Sequence, residues 1–308
     1  MYRKRKVEVY ASEIAEILNL ALIGHDFIIR GPGSLKNVRD QTVVYADSIN
    51  PDVIQSLKTA NDVLVIAGDA RGAAGVSNFS YIETSQPRLA FVRVLSECFV
   101  ERDVRHIDPT ARISPGAHIG RNCIVGSHSV IGPDVVLGDN SVVLNNVVIT
   151  GHVVAGSHCV FKDNSTIGSE GYSFEFDESG VPVHLPYVGR IVIGNNVWIG
   201  ANSTIERAEL DDTVIESSVK IDDLVQIGQC CMVGERTMIA AGTIVSANAV
   251  IGKECWLSPN VSVRERIAIA DNVVVGIGAV VVKNLERDCV YVGNPARFLR
   301  KRSEKDSW

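Results

Sequence analysis

From Ile107 onward an aliphatic residue returns every six positions: Ile113, Ile119, Val125, Ile131, Leu137, Val143 and Ile149, with Ala155, Phe161 and Ile167 keeping step. After a gap the beat resumes at Ile193, Ile199 and Ile205 and then shifts once. It next runs unbroken from Ile215 through Ile221, Ile227, Val233, Ile239, Val245, Ile251, Leu257, Val263, Ile269 and Val275 to Val281. The residue after the aliphatic one is often Gly, as at Gly120, Gly138, Gly200 and Gly228, and Asn or Asp commonly sits nearby. One buried aliphatic per side and a turn-forming residue at each corner is what a triangular β-solenoid requires. Three sides, about eighteen residues, close one coil, and coils stack about 4.8 Å apart. Composition agrees: aromatic residues are 6% of the chain against 26 glycines, and small β-branched side chains argue against a helical bundle. The expected class is mainly β, a hexapeptide-repeat parallel β-helix.

Residues 1–103 lack the beat and read as a separate small α/β domain. Ser12–Leu22 is predicted as a helix closed by Gly24, and Val63–Ala67 as a buried strand. Ser85-Gln86-Pro87 is predicted to open a second helix whose apolar face is Leu89, Val92, Leu95 and Phe99. The solenoid is assigned to 104–285, with an excursion over 169–190, and 286–308 to a short tail. A loop as long as the excursion, with Gly171, Gly180, Pro182 and Pro186, is expected to serve function rather than structure.

The formal charge of -6 provides no basic field, so nucleic acid is not expected as a partner. No apolar run reaches the roughly 18 residues of a membrane span. Met1–Lys6 is basic but has no apolar stretch behind it, so no secretion signal is read there. The seven cysteines contain no C-x-x-C pair, which points to reduced thiols and a cytoplasmic protein rather than zinc or disulfides. His152 and His158 occupy equivalent places in successive hexads, hence different sides of the coil. No metal is expected, which weighs against carbonic anhydrase-like hydration on a similar solenoid.

Three segments, Ser85–Val94, Ile167–Tyr172 with Leu185–Arg190, and Ile199–Arg207, together resemble the UDP-3-O-acylglucosamine N-acyltransferases, an enzyme family of lipid A synthesis. Ser85-Gln-Pro-Arg-Leu-Ala-Phe-Val-Arg-Val94 is similar to that family's N-P-x-L-A-F-x-x-V helix. Ile167-Gly-Ser-Glu-Gly-Tyr172 followed by Leu185-Pro-Tyr-Val-Gly-Arg190 resembles its loop ending in I-P-x-x-G-R. Ile199–Arg207, Asp211–Thr213 and Lys220-Ile-Asp222 through Gln226-Ile227 continue the likeness. The resemblance implies a left-handed coil, a homotrimer with active sites between neighbouring helices, and a first domain that binds uridine. Tyr45 is the candidate platform for the uracil, with Tyr172, Arg190 and Arg266 as further substrate-binding candidates. A core tyrosine is the alternative reading of Tyr45.

Two departures alter the expected chemistry. Where the family reads Q-I-A-H-N this chain has Gln226-Ile-Gly-Gln229-Cys230, so Gln229 stands in the catalytic histidine's place, and Arg266 in that of a second histidine. Every histidine lies at or before His184. An amine on a sugar is partly neutral near pH 7 and reacts by positioning, whereas a hydroxyl needs a base; an amine acceptor is therefore expected. Gln229 is predicted to hold the acyl carbonyl or the amine, with the Ala247 amide, one coil on, as oxyanion donor. Asp222, Glu265 and His184 are the candidate proton acceptors, each also readable as an ordinary turn or surface residue.

The second departure is the ending. Val292-Gly-Asn-Pro-Ala-Arg297 resembles the closing motif of acetyl-CoA-dependent sugar acetyltransferases, in place of a helical extension that docks acyl carrier protein. Gly276 and Gly278 resemble a coil that lets pantetheine lie against backbone, with Asn294, Arg297, Arg300 and Lys301 as CoA-binding candidates. The expected function is N-acyl transfer, acetyl or another short acyl group, from acyl-CoA to a nucleotide-linked amino sugar for surface glycans. No permanently bound cofactor is expected; acyl-CoA is a co-substrate. One alternative keeps the lipid A reaction with hydroxyacyl carrier protein as donor. The other is a non-catalytic sugar-nucleotide-binding trimer.

Overall fold

The computed structural model describes residues 2–5, 7–73, 78–102, 106–303 and 306. The chain divides into two compact units, Met1–Asp103 and Val104–Trp308.

The first unit is built on a parallel sheet of Gly31–Pro32, Thr42–Ala46, Val63–Ala67 and Phe79–Glu83, in that order. Val63–Ala67 is buried at every residue, as an interior parallel strand covered on both faces must be. One side is packed by Ile14, Leu18, Phe91 and Phe99, the other by Leu57, Val53 and Phe79. Helix α1 spans Ala11–Leu18 rather than continuing to Leu22. Asn19 takes the left-handed conformation (φ 54°) and Leu20 N–H bonds back to Ala15 O at 3.0 Å, so the helix closes there and not at Gly24. Helix α2, Pro51–Leu57, was not expected, although Asn50 capping the Val53 N–H at 3.0 Å and Pro51 in the first turn mark it.

Helix α3 spans Pro87–Val94 and passes into a π-helical turn, Leu95–Phe99. Its buried face is Pro87, Ala90, Phe91 and Val94. Leu89 and Val92 face outward at 45% and 48% exposure, correcting the predicted face. Both sets recur at helical spacing, and the sheet selects the one carrying Phe91. The wider π turn then brings Cys98 and Phe99 onto the core side.

The second unit is a prism of three parallel sheets with eight, ten and nine strands, here called the first, second and third faces. Successive rungs are in register, for example Val130 on Val148 and Val142 on Val160. The beat residues from Val125 to Val281 are buried in one continuous column. Ile107, at the first rung, remains exposed, because an end rung has a stacking partner on one side only. Corners are turned by residues at positive φ, among them Asn122, Asn146, Asn202 and Asn272 at 55–60°, a conformation asparagine tolerates better than most. Gly200 allows close stacking: a Cβ there would lie 2.1 Å from the Asp222 carbonyl carbon. Cys289–Val292 extends the second face, and Arg297–Lys301 folds back antiparallel against it.

Candidate active site at an interrupted corner

Ile167, Ile205 and Ile227 stack on successive rungs of the third face. Each precedes the corner leading from the third face to the first. The excursion follows Ile167, the shift in beat follows Ile205, and Gln229 follows Ile227. Both irregularities of the repeat therefore meet at one corner, directly beneath Gln229. The excursion forms a hairpin, Phe174–Phe176 against Pro182–His184. Its base is tied by Val188 and Gly189 N–H donating to Glu209 O at 2.8 and 3.0 Å, and by Arg207 N–H donating to Ser169 O at 2.9 Å. Gly189 permits this closeness, since a Cβ would sit 2.5 Å from Asp211 O.

The hairpin base covers Gln229, which is 7% exposed. Its Nε2 donates to Ser173 Oγ at 3.4 Å, and its backbone N–H to Glu206 Oε2 at 3.2 Å. Gln226 Nε2 donates to Glu206 Oε1 at 3.0 Å. Burial raises the Glu206 carboxyl above the usual glutamate range, and these two donors oppose the rise only partly. Ser173 Oγ also donates to Glu209. The buried Tyr187 hydroxyl lies by Ser173 without a hydrogen bond of ordinary geometry, and burial raises its pKa. His184 Nε2 is 3.5 Å from Glu170 Oε2. Its ring lies edge-on to Phe174 (5.2 Å) and stacked on Tyr187 (5.8 Å). Glu170 also binds Arg207.

Ala247 lies one rung beyond Gln229, where Asn248 N–H donates to Gln229 O at 2.9 Å. The Ala247 N–H has no acceptor among the described residues. Glu265 and Arg266 continue the same corner, both exposed, with Arg264 Nε 3.7 Å from Glu265 Oε1. Asp222 is exposed at a different corner, between the second and third faces, so the structure does not bring it to Gln229. Its neighbour Asp223 is taken by Lys162 Nζ and Ala201 N–H, both at 2.6 Å, and the lysine's bond holds its carboxyl down. A cleft of about 260 Å³ lies beside Asp222, lined by Trp198, Lys220, Met238 and Trp256.

The remaining candidates are dispersed. Arg190 grips Asp212 with two bonds, at 2.6 and 3.0 Å, on the first face. Tyr172, 87% exposed, packs at the hairpin against Phe174. Tyr45 is part-exposed with its ring 5.1 Å from Phe91. The space left by Gly276 is filled by Val292, whose Cγ1 would lie 2.7 Å from a Cβ, while Gly278 (φ 65°) faces open space. Asn294 and Arg297 are exposed. Arg300 pairs with Asp306 at 2.6 Å, and Lys301 Nζ donates to Cys289 Sγ at 3.3 Å. The antiparallel return of the tail brings Lys301 to Cys289, and the turn after it brings Asp306 to Arg300. No group of metal ligands occurs among the described residues, and no described helix is long and apolar enough to cross a membrane.

Glu206, Ser173, Glu209 and Tyr187 escaped the sequence reading. The signal was there: two breaks in a six-residue beat that fall after residues of the same face must stack at the same corner.

A family profile described as "Hexapeptide repeat of succinyl-transferase" matches residues 116–151 and 190–210. The chain has the left-handed parallel β-helix fold. Among solved structures it resembles the UDP-N-acetylglucosamine acyltransferase from Campylobacter jejuni, with TM-score 0.58 and 17% identity over 64% of this chain and 75% of that one. LpxA from Acinetobacter baumannii gives 0.57 and 22% over 63% and 73%. These show the fold. More particularly, it resembles UDP-3-O-acylglucosamine N-acyltransferases in sequence. That of Aromatoleum aromaticum is 50% identical over 130 residues, 42% of this chain and 39% of the relative. That of Coxiella burnetii is 51% identical over 65 residues, 21% and 19% respectively. The matched stretches thus span well under half of these relatives' length.

Proposed function

We propose that the chain transfers an acyl group from a thioester to the amino group of a UDP-linked amino sugar. The observation that carries this reading is the interrupted corner: on an otherwise repetitive apolar prism, two insertions build a partly buried polar site around Gln229. Gln229 offers an amide where an acyl carbonyl or amine would be held, and the Ala247 N–H one rung on, without an acceptor among the described residues, is placed to receive the oxyanion. Among the substrates weighed from the sequence, the names of the curated relatives favour UDP-3-O-acylglucosamine over a short-acyl acceptor. Acyl carrier protein, the donor the resemblance implies for that reaction, accordingly takes precedence over acyl-CoA. The engagement of Arg300 and Lys301 within the chain and the filling of the Gly276 space by Val292 also speak against a ready CoA cradle there.

The active unit in this reading is a homotrimer. Outward residues of the first face (Val136, Val154, Val192, Val214, Met232, Val250) form an apolar stripe, and those of the second (Val142, Val160, Trp198, Met238, Trp256, Val274) form another interrupted by Lys220. A closed threefold assembly covers two different faces of each copy. The first unit would bind the uridine, with Tyr45 as its platform. The seven free cysteines suit a reducing cytoplasm. The test incubates the purified chain with UDP-3-O-acylglucosamine and either hydroxyacyl carrier protein or acyl-CoA, followed by mass spectrometry. N-acylated product with the carrier-protein donor is expected; absence of product with both donors overturns the reading.

A further inference from the structure

We infer that Glu206 is the group that takes the proton from the attacking amine, at a corner where Gln229 stands in place of an imidazole. The inference rests on the acyl-transfer reading above. Its basis is placement: Glu206 is the carboxyl in direct contact with Gln229. Its Oε2 accepts the Gln229 N–H and its Oε1 accepts Gln226 Nε2, so both oxygens are fixed and each keeps a lone pair. Gly171 lies over the pair. A side chain there would bring its Cβ 2.5 Å from Gln229 Oε1 and 2.8 Å from Glu206 Oε2. Both oxygens therefore face the Gly171 backbone at the hairpin base, and only a glycine there spares them a side-chain clash.

The other titratable and charged groups of the corner are engaged differently or lie farther back. From the hairpin base, Glu170 is bound by Arg207 and His184. Tyr187 is a weaker acid than an ordinary phenol and does not compete. From the inserted turn, Glu209 accepts the Ser173 hydroxyl and makes no hydrogen bond to Gln229. On the Gln229 rung, burial raises the thiols of Cys230 and Cys231, so neither is a thiolate near neutral pH. Burial also makes the Glu206 carboxylate a stronger base than a solvated one.

In the step assigned to it, the amine nitrogen attacks the thioester carbonyl carbon and a C–N bond forms. One N–H proton passes to the Glu206 carboxylate. Collapse of the tetrahedral intermediate breaks the C–S bond, and the leaving sulfur takes that proton. Amide and thiol are released, and Glu206 is again a carboxylate.

The experiment measures kcat and KM across about pH 5 to 9 for the wild type, Glu206→Gln and Glu206→Asp, using whichever thioester donor the wild type turns over. The expected result is a loss of roughly a hundredfold in kcat for Glu206→Gln, with KM little changed and the acid limb of the wild-type profile abolished. Glu206→Asp, which keeps the charge, should restore part of the rate together with the limb; it also guards against misreading a folding defect. Glu206→Gln with the acid limb intact, whether its rate is lowered or not, overturns the assignment while acyl transfer stands. A wild type inert with every donor overturns both.

Discussion

The two units bury their apolar residues by different rules. In the solenoid one inward position per six residues suffices, and each rung repeats the solution of the rung below. In the first unit every helix must find its own phase against the sheet, and nothing in a neighbouring repeat corrects an error. Periodic packing therefore declares itself in a sequence, and so do departures from it. Aperiodic packing conceals both its faces and its ends.

That contrast can be broken by substitution. The largest effect is expected from Gly200→Ala, whose Cβ would meet backbone at 2.1 Å where the rungs cannot separate; we expect about 4 kcal/mol or more of destabilisation. Gly278→Ala, in open space at φ 65°, should cost only about 1 kcal/mol. Denaturant titration of the far-ultraviolet signal compares them, and equal costs would mean that rung spacing is softer than described.

In the first unit, Phe91→Ala should cost about 3–5 kcal/mol and Leu89→Ala within about 0.5 kcal/mol, because α3 buries the first and exposes the second. A reversed order would restore the face predicted from sequence.

A smaller effect separates the corner from both cores. A carboxyl whose pKa is raised by folding binds its proton more tightly in the folded state, so the stability it confers is present at low pH and is lost as pH rises past the folded pKa. The melting temperature of Glu206→Gln should therefore gain on that of the wild type as pH rises from the acid range to neutrality. Asp223, held down by Lys162, has the opposite sign and should lose its contribution on acidification. Parallel melting curves at all pH values would contradict the environment assigned to Glu206.

The smallest effect is kinetic. Burial pushes the Cys231 thiol up to about 12 and that of Cys255 to about 11, so at pH near 8 an alkylating reagent should modify half-buried Cys230 first. Peptide mapping after partial alkylation reads the order.

The sequence made the prism and its corners legible because the beat residues alone define the register, from Val125 on Val143 to Val263 on Val281. It also placed Gln229 and Ala247 one rung apart. It did not reveal that Gln229 would be covered, since burial there comes from Gly171 and Ser173, about sixty residues earlier in the chain. Asp222 and Gln229 are close in sequence yet occupy different corners, because one side of the prism, the strand Gln226–Ile227, separates them. Leu89 and Phe91 carried no such periodic label, and only the sheet distinguishes them. The engagement of the tail was hidden for a related reason: the run of cations gives no sign that the fold pairs Arg300 with Asp306.

The most direct test compares one corner with another. Gln229→Ala, at the interrupted corner, should lower the rate of sugar N-acylation by roughly tenfold or more, while Lys253→Ala, at the uninterrupted corner between the first and second faces, leaves it unchanged. Equal rates in the wild type and both variants would place the chemistry elsewhere and contradict the account.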